Sequence, residues 1–429
     1  MRRFFAILLG RLARFATRLR GGGSAFPGYL VRKVWPRFIE DVSAQWSHGV
    51  VFVLGSNGKS TTTHMVSELL RAHGLRVFTN PSGANLPQGI ASAMLSEVTL
   101  SGKLPADVAV LEVDEAFAVD LAKLLSPRTV LMLNCQVDQL YRFYETERVA
   151  DMMLDASVLA TAHIVTNRED PLLSRVKERL GSRSVPAVSY FGVSDAVLAA
   201  SKHGLLNAPD FRDGENASRP SALSEVRSFA GREATIAVSG SGSAGEVLSV
   251  ELPARGLHYA IDAAAASATA KLVMAADFDP SKVVDAFSNM RPAYGRGEVI
   301  PFGDESVEFI MFKNGPSLQL NLDSLTTPPE QVMFALDEGT PDISWIYDVN
   351  FDSLDHVDVV TGEKAWQVAL RLVYAGVPIT AVEPDLEKAI EIMRRLPAPR
   401  DDRKLWFVNY EQMMLARKHL GFPDLETRL

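Results

Sequence analysis

From Val50 onward, short apolar runs alternate with stretches whose apolar residues recur every three or four positions. The runs at Val50–Leu54, 75–79, 108–113, 129–133 and 163–166 read as strands. The intervening segments Lys59–Ala72, 88–96, 117–125 and 149–160 carry helical periodicity. Short apolar strands separated by helices are buried on both faces, so the pattern predicts a doubly wound, mostly parallel α/β sheet. Residues 192–256 break this rhythm with Ser239-Gly240-Ser241-Gly242 and several polar turn dipeptides. They predict an irregular insertion or a weak β excursion. Helical pattern returns at 261–274 and 281–289. After Arg291-Pro292 come further strands at 307–312, 332–336, Val357–Thr361, Ile379–Val382 and 405–408, with helices centred on Ala369, Ile390 and Met414. A boundary near residue 300 therefore divides a central domain, 46–300, from a Rossmann-like α/β domain, 301–429.

The start of the chain is different. Phe5, Leu8, Leu12, Phe15 and Leu19 share one helical face, with Arg11, Arg14 and Arg18 beside it. Residues 1–45 thus form a basic amphipathic helix and a linker. Such a helix can rest on an anionic membrane surface or pack its apolar face on the domain behind it. A secretory signal fits less well, because arginines interrupt the apolar run after Leu9 and Gly21-Gly22-Gly23-Ser24 reads as a hinge.

Composition narrows the class. With 429 residues, 47% hydrophobic and 22% charged, the chain is long enough for two or three folded domains and is neither disordered nor polytopic. Its single cysteine, Cys135, excludes a disulfide scaffold and an all-cysteine zinc site, and makes a reducing, cytoplasmic compartment the expectation. Lysine and arginine number 44 against 52 acidic residues, which argues against nucleic acid as a partner. The charge is uneven: Arg2, Arg3, Arg11, Arg14, Arg18, Arg20, Arg32, Lys33 and Arg37 all precede the first acid, Glu40.

Candidate chemistry sits at the end of the first strand. Gly55-Ser56-Asn57-Gly58-Lys59-Ser60-Thr61-Thr62-Thr63 follows an apolar run and opens a helix. Glycines there let backbone N–H groups converge on phosphate oxygens, the helix start adds positive potential, and Lys59 neutralises β/γ-phosphate charge. Ser60 or Thr61 offers a hydroxyl to Mg²⁺. Val53 stands where the usual Walker string has its first glycine, so the loop is a shortened form. Acidic partners belong at neighbouring strand ends. In Leu111-Glu112-Val113-Asp114-Glu115, Glu112 is the expected Mg²⁺ ligand, with Asp114 and Glu115 solvated or capping the next helix. Asn134 ends the following strand, with Asp138 close behind, and Asn167-Arg168-Glu169-Asp170 ends another.

These strings resemble the Mur ligase family, whose landmarks are the short glycine-lysine loop, the acidic strand end and the run Asn134–Leu140. Within it they resemble the MurT-like synthetase subunits. Thr79-Asn80-Pro81-Ser82-Gly83-Ala84-Asn85, Pro87-Gln88-Gly89-Ile90-Ala91-Ser92-Ala93, Tyr294-Gly295-Arg296-Gly297-Glu298 and Asp342-Ile343-Ser344-Trp345-Ile346-Tyr347-Asp348-Val349-Asn350-Phe351 carry that likeness. The resemblance implies a central ATPase domain that binds ATP and Mg²⁺ through Gly55, Ser56, Asn57, Gly58, Lys59, Ser60, Thr61 and Asn134, with Ser60 and Glu112 on the metal. It implies activation of the α-carboxylate of D-glutamate in lipid II as an acyl phosphate, and amidation by ammonia from a separate GatD-like glutaminase. It also implies that Asp348, with Asp342 as runner-up, is lent to the partner's Cys–His pair, and that the C-terminal domain docks that partner.

The sequence departs from the family in several places. The four cysteines of the family's zinc ribbon are missing from 192–256, so no zinc is expected there. The stretch opening the helix after it reads His258-Tyr259-Ala260-Ile261-Asp262, which leaves adenine recognition open, Asp262 serving as acceptor or as helix cap. Tyr141 and Gly315 also replace family residues. Two other functions remain open: an amino-acid ligase acting without a glutaminase, and a non-catalytic scaffold for the partner.

Overall fold

The computed structural model describes residues 2–19, 25–80, 84–138, 140–183, 185–210, 219–240, 243–292, 295–337, 342–400 and 403–422. Gly21-Gly22-Gly23-Ser24, Pro81-Ser82-Gly83, Gln139, Ser241-Gly242 and Tyr294 lie outside them, as do the side chains of Arg18, Leu19 and Tyr141. Two sheets organise the chain. The first contains β1 (Val50–Leu54), β2 (Val77–Thr79), β3 (Val108–Glu112), β4 (Thr129–Met132), β5 (His163–Asn167), β6 (Ala187–Val193), β7 (Ser224–Ala230), β8 (Glu233–Gly240) and β9 (Ser243–Glu251). Their order is β2-β3-β1-β4-β5-β6-β7-β8-β9. Pairing is parallel through β7 and antiparallel across β7, β8 and β9.

Alternation along single strands explains why helices cover both faces. Val50, Phe52 and Leu54 enter one buried cluster, whereas Val51 and Val53 enter the other. A strand buried on both sides needs the apolar run that the sequence shows. The second layer is capped by helix Leu257–Met274, whose alanines from Ala263 to Ala266 are fully buried and let the helix lie close against the strands.

The second sheet contains β10 (Arg296–Phe302), β11 (Glu305–Met311), β12 (Val332–Ala335), β13 (Val357–Thr361), β14 (Ile379–Val382) and β15 (Arg403–Val408). Its order is β10-β11-β15-β12-β13-β14, with only the β10–β11 pair antiparallel. Its two faces are again both buried, Phe334 and Phe407 on one and Met333 and Trp406 on the other.

The structure decides between alternatives at two places. Within 192–256 the β excursion holds and the irregular insertion does not, because β7, β8 and β9 form a regular antiparallel extension of the first sheet. Val226, Ile236, Val238, Leu248 and Val250 turn inward, while intervening serines and glutamates face out. One buried face needs only every second residue to be apolar, and the serine and glycine content hides that period. The terminal helix Arg2–Leu19 also does not bury its bulky face. It packs through Ala6, Ile7 and Gly10, and a Cβ on Gly10 would lie 2.6 Å from Leu95 Cδ2. No helix among the described residues is long and apolar enough to cross a membrane.

Candidate functional site

β1 sits between β3 and β4, where the strand order reverses and open α/β sheets place their ligands. Beyond Leu54 the chain turns through Gly55 (φ 146°) and Gly58 (φ 84°), values that residues with a side chain rarely adopt. Gly58 is also confined in space, since a Cβ there would lie 2.6 Å from Asp262 Oδ1. Helix Lys59–Ala72 starts at once, which aims first-turn N–H groups and the positive dipole end at the cavity. Asn134 braces the loop from β4: Asn57 N–H donates to its Oδ1 at 2.9 Å, and its Nδ2 donates to Asn57 O at 3.1 Å. Ser56 N–H donates to Asn134 O at 3.0 Å.

Two acids meet the loop side chains. Ser60 Oγ donates to Glu112 Oε2 at 2.7 Å, and Asn80 clamps the Glu112 backbone, donating to its carbonyl at 2.9 Å and accepting from its N–H at 3.0 Å. Lys59 Nζ lies 2.7 Å from Glu115 Oε1 and 2.6 Å from Gly55 O. Burial alone would lower the Lys59 pKa, but the carboxylates of Glu115 and Glu112 outweigh it and the net shift is upward. Lys59 therefore stays a cation. Glu115 corrects the sequence reading, which set it aside as solvated or capping. It is buried and also accepts from Gly55 N–H at 3.3 Å. Asp114 is the helix cap, accepting from Ala116 N–H at 3.1 Å, and it pairs with Arg142.

Ser60 and Glu112 give two hard oxygens at one point, a donor set suited to Mg²⁺. Among the described residues no group of three or more His, Cys, Asp or Glu is arranged to hold a metal. The remaining ligands would be phosphate oxygens and water, as Mg²⁺ usually retains.

The cavity over the loop measures about 580 Å³, within the range of a nucleotide-sized pocket. The first sheet's helix Leu257–Met274 contributes His258, Tyr259 and Asp262 to it. Burial lowers the His258 pKa to about 4, raises the Tyr259 phenol, and raises Asp262 well above the carboxylate range against the pull of Thr62 and Arg296. Asp262 lies inside the helix beside Gly58, so the capping alternative falls away. Asn167 also lines the cavity, tied to Leu133 O at 3.0 Å. Asp170 does not line it. It is buried, accepts from the N–H groups of Cys135, Leu172 and Leu173, and is raised to about 7 by that burial. Cys135 is likewise buried, its thiol pushed up by burial and donating to Thr146 O at 3.2 Å.

The second sheet closes the site from the other side with residues absent from the sequence-based list. Lys313 Nζ meets Asp138 Oδ2 at 2.8 Å and the Ser56 carbonyl. Asn57 Nδ2 donates to Asn314 Oδ1 at 3.2 Å, and Arg296 Nη2 donates to Ser60 Oγ at 3.3 Å. Their signal in the sequence was only the motif likeness at Gly295–Glu298, which contains Arg296, while Lys313 and Asn314 precede the departure at Gly315.

Asp348 is not brought to this cavity. It ends the short turn Ser344–Asp348 and is exposed. Arg371, from helix Ala365–Tyr374, fixes the turn by donating to Ile346 O at 3.1 Å and Val349 O at 2.7 Å. The same helix exposes Trp366, Leu370, Val373 and Tyr374. Asp342 caps the turn by accepting from Ser344 N–H at 2.9 Å, which with its other contact to Ser344 holds its carboxyl below the usual range. The turn packs on the start of helix Gly315–Asp323, where a Cβ on Gly315 would meet Trp345 O at 3.3 Å. Asn314, the cap of that helix, reaches the phosphate loop.

Comparison with known proteins gives two family matches: the Mur ligase middle domain over residues 53–270, and the MurT ligase C-terminal domain over 311–413. Over 410 residues the chain is 26% identical to the lipid II isoglutaminyl synthase (glutamine-hydrolyzing) subunit MurT of Streptococcus pneumoniae, covering 87% of each chain. It is 32% identical over 178 residues to the protein of the same name from Staphylococcus aureus, covering 41% of this chain and 40% of that one. MurF from Acinetobacter baumannii shares the fold with a TM-score of 0.67 at 16% identity, over 91% of this chain and 79% of that one. MurF ligase from Thermotoga maritima, solved in complex with ADP, gives 0.63 at 16% identity, over 94% and 85%.

Proposed function

The chain belongs to the Mur ligase family, and from that premise we propose that it is the synthetase subunit of a glutamine-dependent amidotransferase acting on lipid II at the cytoplasmic face of the membrane. In this reading the loop Gly55–Thr61 and the start of its helix hold the nucleotide phosphates. Lys59, kept charged by Glu115, sits against the β/γ oxygens. Ser60 and Glu112 hold Mg²⁺, which when bound neutralises charge gathering on the phosphoryl oxygens. The terminal phosphoryl group passes from ATP to the α-carboxylate of D-glutamate, and ADP leaves. Ammonia then attacks the acyl carbon, phosphate departs, and a proton is lost to give the amide. A carboxylate resists amine attack until phosphorylated, so the nucleotide site and the amidation belong together chemically.

The observation that carries this reading is the setting of Asp348. It is an exposed carboxylate on a turn locked by Arg371, beside the exposed apolar face of helix Ala365–Tyr374. An oriented acid next to an apolar face suits a docked glutaminase, whose histidine it would orient as the acid of a triad does. The only cysteine, Cys135, is buried with a raised pKa, which supports a nucleophile supplied by another chain. The partner's docking on the C-terminal domain, 301–429, is part of the proposal.

The test is reconstitution with a GatD-like glutaminase, ATP, glutamine and lipid II, followed by mass analysis of the muropeptide. Glutamate should be converted to isoglutamine. A muropeptide of unchanged mass in the presence of an active glutaminase would refute the proposal. Amide formation with a free amino acid and no glutaminase would instead favour the simpler ligase.

A further inference from the structure

The helix Arg2–Leu19 is attached to the molecule by its smaller side. Ala6 and Ile7 are buried in the same cluster as Val31 and Leu95, and Gly10 lies directly against those two residues. At 100° per residue, Phe4, Phe5, Leu8, Leu9, Leu12 and Phe15 occupy the opposite side. All six are exposed, with Phe5 at 60%, Leu12 at 58% and Phe15 at 64%. Phe26 and Tyr29 on the next helix, Phe26–Val34, are exposed as well. Soluble surfaces rarely gather large apolar residues this way without a partner.

Charge identifies the partner. No acidic residue precedes Glu40, and Arg2 and Arg11 border the apolar stripe on either side. Both guanidinium groups donate to backbone carbonyls, Arg2 to Val34 O at 2.9 Å and Arg11 to Leu95 O and Val98 O. Neutral carbonyls orient these cations without cancelling their charge. Arg3 is different, paired with Asp41 at 3.0 Å. Arg32 and Lys33 add two more cations on the second helix. Two copies of this face would set arginine against arginine, which opposes self-association.

We infer that the face formed by Phe5, Leu8, Leu12 and Phe15 docks on an anionic phospholipid surface, with Arg2 and Arg11 at the headgroups and the apolar rings in the acyl boundary. Apolar burial and basic charge are the two signals that together give stable interfacial binding. The inference does not depend on which ligase reaction the cavity runs, and it explains why the phenylalanines and most of the leucines of the helix face away from the domain.

Sedimentation of the full chain with vesicles tests it. The protein should pellet with phosphatidylcholine–phosphatidylglycerol vesicles at least about tenfold more strongly than with pure phosphatidylcholine, and added salt should weaken the interaction. Phe5→Ser/Leu12→Ser/Phe15→Ser should lose about tenfold or more of that binding while keeping the parent's unfolding midpoint, since all three side chains are exposed. A second variant, Arg32→Glu/Lys33→Glu, should lose the preference for anionic lipid even if the triple variant is impaired in folding. Equal binding to both vesicle types, or parent-like binding by a folded triple variant, overturns the inference. So does a parent that ignores vesicles and elutes as a dimer that the triple variant dissolves.

Discussion

The phosphate loop and the Asp348 turn both end in polar residues, yet their surroundings are opposite. Around the loop the polar side chains are already met: Lys59 by Glu115, Lys313 by Asp138, and the Ser60 hydroxyl by Glu112. These groups are held in place by a sheet buried on both faces, so little reorganisation remains when a nucleotide arrives. At the Asp348 turn the backbone is locked by Arg371, but the carboxylate faces solvent beside an apolar helix. One region is preorganised from within the chain. The other is oriented but unfinished, the difference that the proposed division of labour with a glutaminase subunit requires.

That contrast can be broken most forcefully at Lys59. Lys59→Ala should lower ATP turnover by about a thousandfold, as loss of a preorganised charge contact does, measured as phosphate release in the reconstituted complex. Full turnover in the variant would leave the chain a scaffold. Next is Asp348→Asn, expected to cut glutamine hydrolysis by about a hundredfold or more while leaving the unfolding midpoint untouched, since the residue is exposed. Parent-like hydrolysis would remove the shared-acid idea. Glu115→Gln sharpens the other side. It removes the carboxylate in direct contact with buried Lys59 and leaves only the more distant Glu112 and Asp138, so urea unfolding should show a loss of about 3 kcal/mol. A loss no larger than that of an exposed glutamate would mean the pair is not preorganised.

The smallest effect concerns pH. Burial depresses the His258 pKa from 6.5 to about 4, so the unfolded chain takes up the proton before the folded one does. The neutral ring contributes its stability above pH 6.5 and loses it as pH falls toward 4. His258→Gln should flatten that part of the stability profile by about 1–2 kcal/mol, read from unfolding midpoints at the two ends of the window. Parallel profiles for variant and parent would count against a buried neutral ring.

Legibility in the sequence followed how much of the physics is local. The strand before Gly55 and the helix after Lys59 are set by neighbours in the chain, and the glycine spacing encodes the turn directly. β7, β8 and β9 were hidden because one buried face with serines opposite it leaves a weak alternating signal. Glu115 was misread for a different reason. Asp114 and Glu115 are adjacent acids at a helix start, and nothing local says which one turns inward to a lysine 56 positions away. Lys313, Asn314 and Arg296 reach the loop only because the second sheet lies against the first.

By itself the sequence determined the parallel α/β layers, the phosphate-binding loop, and the basic, apolar character of the first helix, since each follows from periodicity or spacing over a few turns. Only the tertiary structure decided which acid neutralises Lys59, that the first helix turns its large side chains away from the domain, and that Asp348 stands apart from the cavity. Those outcomes depend on contacts between segments distant in the chain, where burial and charge pairing are settled by packing rather than by neighbouring residues.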